Sequence, residues 1–111
     1  MKDRGAVFRA LADDNRRVML TMLSKRPHTS TELGEPFDMS APAVSQHLGI
    51  LREAGLVEVA KVGKYRVYKL SPTPLLEVAE WLTELEKLWG TRLDRLDKVV
   101  SRLKKEQLSR G

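Results

Sequence analysis

His47 stands two residues after Ser45 and directly after Gln46 in the stretch SAPAVSQHLGILREAGLV, residues 40–57. Residue types of this kind could serve nucleophilic catalysis, metal binding or the reading of another molecule. Catalysis needs a carboxylate to orient the imidazole and a nucleophile within its reach, and the chain offers neither a recognisable Ser-His-Asp set nor an H-E-x-x-H motif. A transition metal needs several converging ligands, whereas the chain has no cysteine and only two histidines, His28 and His47, on separate segments. No metal site, cofactor or enzymatic activity is expected. The set suits a nucleic acid better. The Gln46 amide can pair with N6 and N7 of adenine, and Ser40 and Ser45 can reach phosphates or base edges. His47 could equally touch DNA or bond to a neighbour inside the protein, given its two ring nitrogens.

The elements that must position these groups follow from spacing. Val7, Phe8 and Leu11 mark a short first helix, and ADDN supplies caps where a second helix, NRRVMLTMLSKR, begins with Val18, Met19, Met22 and Leu23 on one face. Pro27 stops it. A third helix of one or two turns is expected from Ser30, with Leu33 and Phe37 apolar and with Gly34 and Pro36 limiting its length; Asp38 then marks a turn. Ser40 is the expected N-cap of the fourth helix, with Pro42 in its first turn, where the N–H groups lack helical partners in any case. Val44, Leu48 and Leu51 form its buried stripe, leaving Ser45, Gln46 and His47 outside that stripe, and Gly55 ends it. The run LVEVAKVGKYRVYKL reads as a hairpin around Gly63 and Lys64, with a type II′ turn that places Gly63 first. SPTP breaks the pattern, and a long helix is expected over 75–108. Its apolar seam, Val78, Leu82, Leu85, Trp89, Leu93, Leu96, Val100 and Leu103, is heptad-like with one stutter beside Gly90, where the helix could kink.

Composition agrees with a small single domain. A chain of 111 residues buries about two-thirds of its unfolded surface, and no apolar run approaches the roughly 18 residues of a membrane span. With no secretory signal visible at the N-terminus, a cytoplasmic location and no membrane partner are expected. The net charge is +5, of which residues 1–74 contribute +4 and residues 75–111 only +1. The basic excess therefore lies with the front segments, as a polyanion partner would require. The fold class read from this order is mainly α (α+β), a winged helix-turn-helix in the order α-α-α-α-β-β-α, whose second helix of the motif enters the DNA major groove.

Three stretches, ALADDNRRVMLTML, MSAPAVSQHLGILREAGLV and GKYRVYKL, resemble the entry helix, recognition helix and wing of the ArsR/SmtB family of small bacterial winged-helix repressors, and the resemblance covers nearly the whole chain. It implies a homodimeric transcriptional repressor that binds a pseudo-palindromic operator in double-stranded DNA and is released by an effector. The implied division of the single domain, 1–111, is an N-terminal dimerisation helix at 1–12, a DNA-binding core and wing at 15–70, and a C-terminal dimerisation helix at 75–108. The expected DNA contacts are Ser40, Ala41, Pro42, Ala43, Ser45, Gln46, His47 and Arg52 on the recognition helix and Lys61, Lys64 and Arg66 on the wing. Arg16, Arg17 and, within that set, Arg52 are either DNA-backbone contacts or ordinary surface charges. The expected dimer interface is Val7, Phe8, Leu11, Val78, Trp81, Leu82, Leu85, Leu88, Trp89, Leu93 and Leu96, where Trp81 and Trp89 either pack in the seam or line an effector pocket. The chain departs from the family in having Asp14-Asn15 where Pro-Thr is frequent, GEPFD at the end of the third helix, and none of the cysteine or Asp/His sets with which metal-sensing members bind metal. An unknown effector molecule or a protein partner therefore remains open, as does a protein-interaction module that has kept the winged fold.

Overall fold

The structure is a computed structural model and describes residues 4–110, apart from the side chains of residues 91–97 and 108–110. Its elements are α1 (Arg4–Leu11), α2 (Asp14–Lys25), β1 (His28–Thr29), α3 (Ser30–Gly34), α4 (Ala41–Glu53), β2 (Val57–Val62), β3 (Tyr65–Leu70) and α5 (Thr73–Arg110). The chain divides into two compact units, one ending at Leu76 and the other beginning at Glu77.

The first unit holds the core. Met19, Leu33, Leu48, Leu51 and Leu56 are essentially inaccessible, so α2, α3 and α4 each give their apolar stripe to one interior. On α2 the buried set is Met19, Leu20 and Leu23, while Val18 is 44% exposed, so the stripe lies one position round from the expected Val18 face. The α3–α4 approach is close: a Cβ on Gly34 would lie 3.0 Å from Val44 Cγ2, which accounts for glycine there better than helix termination does.

Helix ends follow local chemistry. Asp13 caps α2 by accepting the Arg16 N–H at 3.0 Å. α3 begins at Ser30 as expected, and Thr29 caps it in a reciprocal box, its hydroxyl accepting the Glu32 N–H at 3.2 Å while the Glu32 carboxylate accepts the Thr29 N–H at 2.9 Å. Ser40 caps α4 through the Ala43 N–H. At its other end Gly55, at φ +77°, donates to the Arg52 carbonyl and Leu56 to the Leu51 carbonyl, the paired bonds of a Schellman motif. The turn after α3 falls at Glu35 and Pro36, closed by the Phe37 N–H donating to the Gly34 carbonyl at 3.1 Å, before Asp38 rather than at it; among the described residues only Gly55 and Gly63 have positive φ.

The sheet has the order β1-β3-β2 and is antiparallel throughout. Val62 lies opposite Tyr65, leaving Gly63 and Lys64 as the loop; positive φ at Gly63 alone fits the type II′ turn. The edge strand β1 has only two residues, His28 opposite Tyr68 and Thr29 opposite Val67, and no sequence pattern marks it.

In the second unit α5 continues through Gly90 without interruption. Leu82, Leu88, Val99, Val100 and Leu103 are exposed along it, Leu88 to 75%. No helix is long and apolar enough to cross a membrane, among the described residues.

Candidate nucleic-acid interface

Burial of Val44, Leu48 and Leu51 fixes which side of α4 faces outward. Ala41, Pro42, Ser45, Gln46, Gly49 and Arg52 are exposed, and their spacing puts Pro42, Ser45, Gln46 and Gly49 on one strip of the helix. Ala43 is half-buried and its N–H is used by the Ser40 hydroxyl, which keeps its own proton to donate. Gly49 was not singled out by spacing. A Cβ there meets nothing within 4 Å, so nothing in the protein needs the space, yet an exposed glycine inside a helix costs about 1 kcal/mol relative to alanine. Arg52 lies in the last turn, where its charge also complements the helix dipole.

His47 is turned differently from Gln46. Its side chain is 19% exposed and its Nδ1 lies 3.1 Å from an Arg16 guanidinium nitrogen. That guanidinium also donates from Nε to the Ala10 carbonyl at 2.8 Å and from its other terminal nitrogen to the Arg9 carbonyl at 2.9 Å. The neighbouring Arg17 donates to the Leu11 carbonyl and pairs with Asp14. Both arginines thus bond to carbonyls in the last turn of α1, Arg16 from a half-buried position and Arg17 from an exposed one. The Arg16 N–H holds the Asp13 carboxyl below the usual carboxylate range; partial burial opposes this, and the Arg16 charge reinforces it.

The wing carries its cations at the tip. Lys61 on β2 lies directly opposite Arg66 on β3, both exposed, and no carboxylate pairs with either among the described residues. The other face of the same hairpin behaves ordinarily, with Lys69 bridging to Glu58 at 3.3 Å. Lys64 sits in the loop with its ammonium 5.4 Å from the Tyr65 ring centre.

His28 is buried, its Nδ1 donating to the Arg26 carbonyl at 2.8 Å. Among the described residues no three of His, Asp or Glu come together as a metal site would require. Arg26 also bonds the Glu32 carboxylate at 3.0 Å. The Thr29 N–H, and after it the Arg26 contact, lower the Glu32 pKa to about 2.

Of the residues expected at a dimer interface, Val7 is 4% exposed and belongs to the chain's own core, and Val78 is also buried. Leu11, Trp81 and Leu85 are half-buried, and Phe8, Leu82, Leu88 and Trp89 are exposed. The side chains of Leu93 and Leu96 lie outside the described residues.

A family profile described as a helix-turn-helix domain matches residues 11–60. The chain is 42% identical over 86 residues to the HTH-type transcriptional regulator Rv2034 of Mycobacterium tuberculosis, covering 78% of each protein. It is 30% identical over 105 residues to the arsenical resistance operon repressor of Escherichia coli, covering 93% of this chain and 86% of that one. Among solved structures it matches that of an ArsR family transcriptional regulator with a TM-score of 0.75 at 36% identity, over 79% of this chain and 98% of the other.

Proposed function

The chain belongs to the ArsR family of winged helix-turn-helix transcriptional regulators, which bind DNA and are not enzymes, and on that footing we propose that it is a homodimeric repressor of a pseudo-palindromic operator. In this reading α4 enters the major groove with Ser45 and Gln46 toward the bases, and the wing follows the phosphate backbone. Two such helices, related by a two-fold axis, would lie about 34 Å apart to meet successive turns of DNA.

The observation that carries the reading is the Lys61–Arg66 pair. Like charges directly opposite on neighbouring strands are destabilising. A sequence that keeps them at the hairpin tip gains from a polyanion there, because each neutralised phosphate releases counterions. The exposed leucines and valines of α5 support the second half of the proposal, since a two-fold partner covers one apolar face with another. Whatever effector acts would have to be recognised without thiolates, the chain having no cysteine.

Titration of the protein's own upstream DNA, beside random sequence, tests the proposal. Gln46→Ala should lose about 1–3 kcal/mol on the operator and almost nothing on random DNA. Equal loss on both would remove Gln46 as a base reader, and binding with one monomer per palindrome would overturn the dimer.

A further inference from the structure

Arg16 and His47 are 31 positions apart in sequence, yet their bond joins the end of α1 and the start of α2 to the middle of α4. An arginine can only donate, so the 3.1 Å contact requires His47 Nδ1 to accept, which places the ring's proton on Nε2. The planar guanidinium is held on its other edge by the Arg9 and Ala10 carbonyls, so its orientation is set before it reaches α4. Asp13 contributes from the side: its Oδ2 accepts the Arg16 N–H at 3.0 Å and lies 3.8 Å from the same Nδ1, beyond hydrogen-bonding distance.

We propose that Arg16 and His47 are positioning residues for DNA reading, holding α4 in the rotation that presents Ser45 and Gln46, and that His47 does so through Nδ1 without touching DNA. The proposal rests on the reading of α4 as the helix that enters the groove. His47 follows Gln46 directly, so any turn of α4 about its axis that breaks the Arg16 contact swings the Gln46 amide through the same angle. A bidentate contact to a base edge tolerates little of this, since hydrogen bonds weaken steeply with angle. Phosphate contacts from flexible wing cations tolerate much more, so loss of the bond should reduce specific binding and spare non-specific binding.

Side-chain geometry separates the two ring nitrogens experimentally. In His47→Asn the amide oxygen can stand where Nδ1 stood and nothing reaches the place of Nε2; in His47→Gln the amide extends to the place of Nε2 and the Nδ1 acceptor is lost. We expect His47→Gln and His47→Ala to weaken operator binding about tenfold, as for loss of one charge-assisted hydrogen bond, with random DNA bound within about twofold of wild type. His47→Asn should recover most of that loss. Arg16→Lys should resemble His47→Ala, and the double variant should be no weaker than either alone. Retention by His47→Gln with loss in His47→Asn would instead mean that Nε2 touches DNA, and equal losses on operator and random DNA would reduce the pair to general fold support; either result overturns the proposal. The nitrogen-15 spectrum of the DNA-free protein gives an independent reading. A neutral His47 ring protonated on Nε2 supports the bond, and one protonated on Nδ1 refutes it, whether or not the chosen DNA is an operator.

Discussion

Glu32 is a short-range example of a residue whose charge has a structural use. Its carboxylate accepts the Thr29 N–H and meets Arg26, and these contacts lower its pKa from 4.5 to about 2. A carboxyl with a depressed folded-state pKa contributes stability that is fully present above its unfolded value and is lost as pH falls through the folded one. Thermal unfolding should therefore show Glu32→Gln flattening the fall in stability between about pH 4.5 and 2, while the capping geometry survives because glutamine can also accept from Thr29. An unchanged acid profile would mean that this carboxyl is not held by its partners. Gly49 presents the opposite case, a residue that costs stability with no return inside the protein. Gly49→Ala should raise the unfolding free energy by ~0.5–1 kcal/mol in denaturant titrations, since the added methyl group meets nothing. If α4 enters the groove as proposed, operator binding by the same variant should weaken, because the strip beside Ser45 and Gln46 then faces a DNA backbone or base edge.

At the scale of elements, the proposed function divides the work of binding between the wing and α4. Replacing Lys61 and Arg66 together by alanine should weaken operator and random DNA alike and lower the salt slope by roughly one to two, as phosphate contacts do, whereas Gln46→Ala leaves that slope alone. A salt slope unaltered by the double replacement would place the hairpin tip away from the backbone. These same elements were the most legible in the sequence, because each is bounded by residues with local reasons: Ser40 and Gly55 at the ends of α4, Gly63 in the hairpin. What local spacing could not supply was equally specific. Val18 and Leu20 lie on opposite flanks of the Met19–Leu23 stripe, and twelve residues of periodicity do not say which flank the core takes. The Thr29–Glu32 box is written as a T-x-x-E spacing, but in a run of Thr29, Ser30 and Thr31 the spacing alone does not say which hydroxyl takes the cap. Arg16 and His47 carried no shared signal, since their partnership depends on how α1, α2 and α4 pack.

For the molecule as a whole, association is the property most exposed to test. Leu88 is 75% exposed in the single chain, so Leu88→Glu should leave the isolated chain's fold intact. If the α5 face pairs about a two-fold axis, each copy loses a buried leucine worth ~1.5–3 kcal/mol, and sedimentation should show the dimer weakened by about 3 kcal/mol or more. Full association in the variant would place the interface elsewhere. The two-residue strand β1 has a consequence of a different kind, in the order of assembly. By pairing His28 with Tyr68 and Thr29 with Val67 it closes a long loop that contains the whole of α3 and α4. Contacts so distant in sequence repay their closure entropy only after the intervening segment has condensed, so the third strand of the sheet should be among the last parts to form. Once formed it leaves Val67 and the buried Tyr68 paired on both sides, by β1 and by β2. Amide protons of Val67 and Tyr68 should therefore exchange with solvent at the slow rate of global unfolding, while those of Val62 and Tyr65, beyond the reach of β1, exchange by local fraying of the hairpin tip.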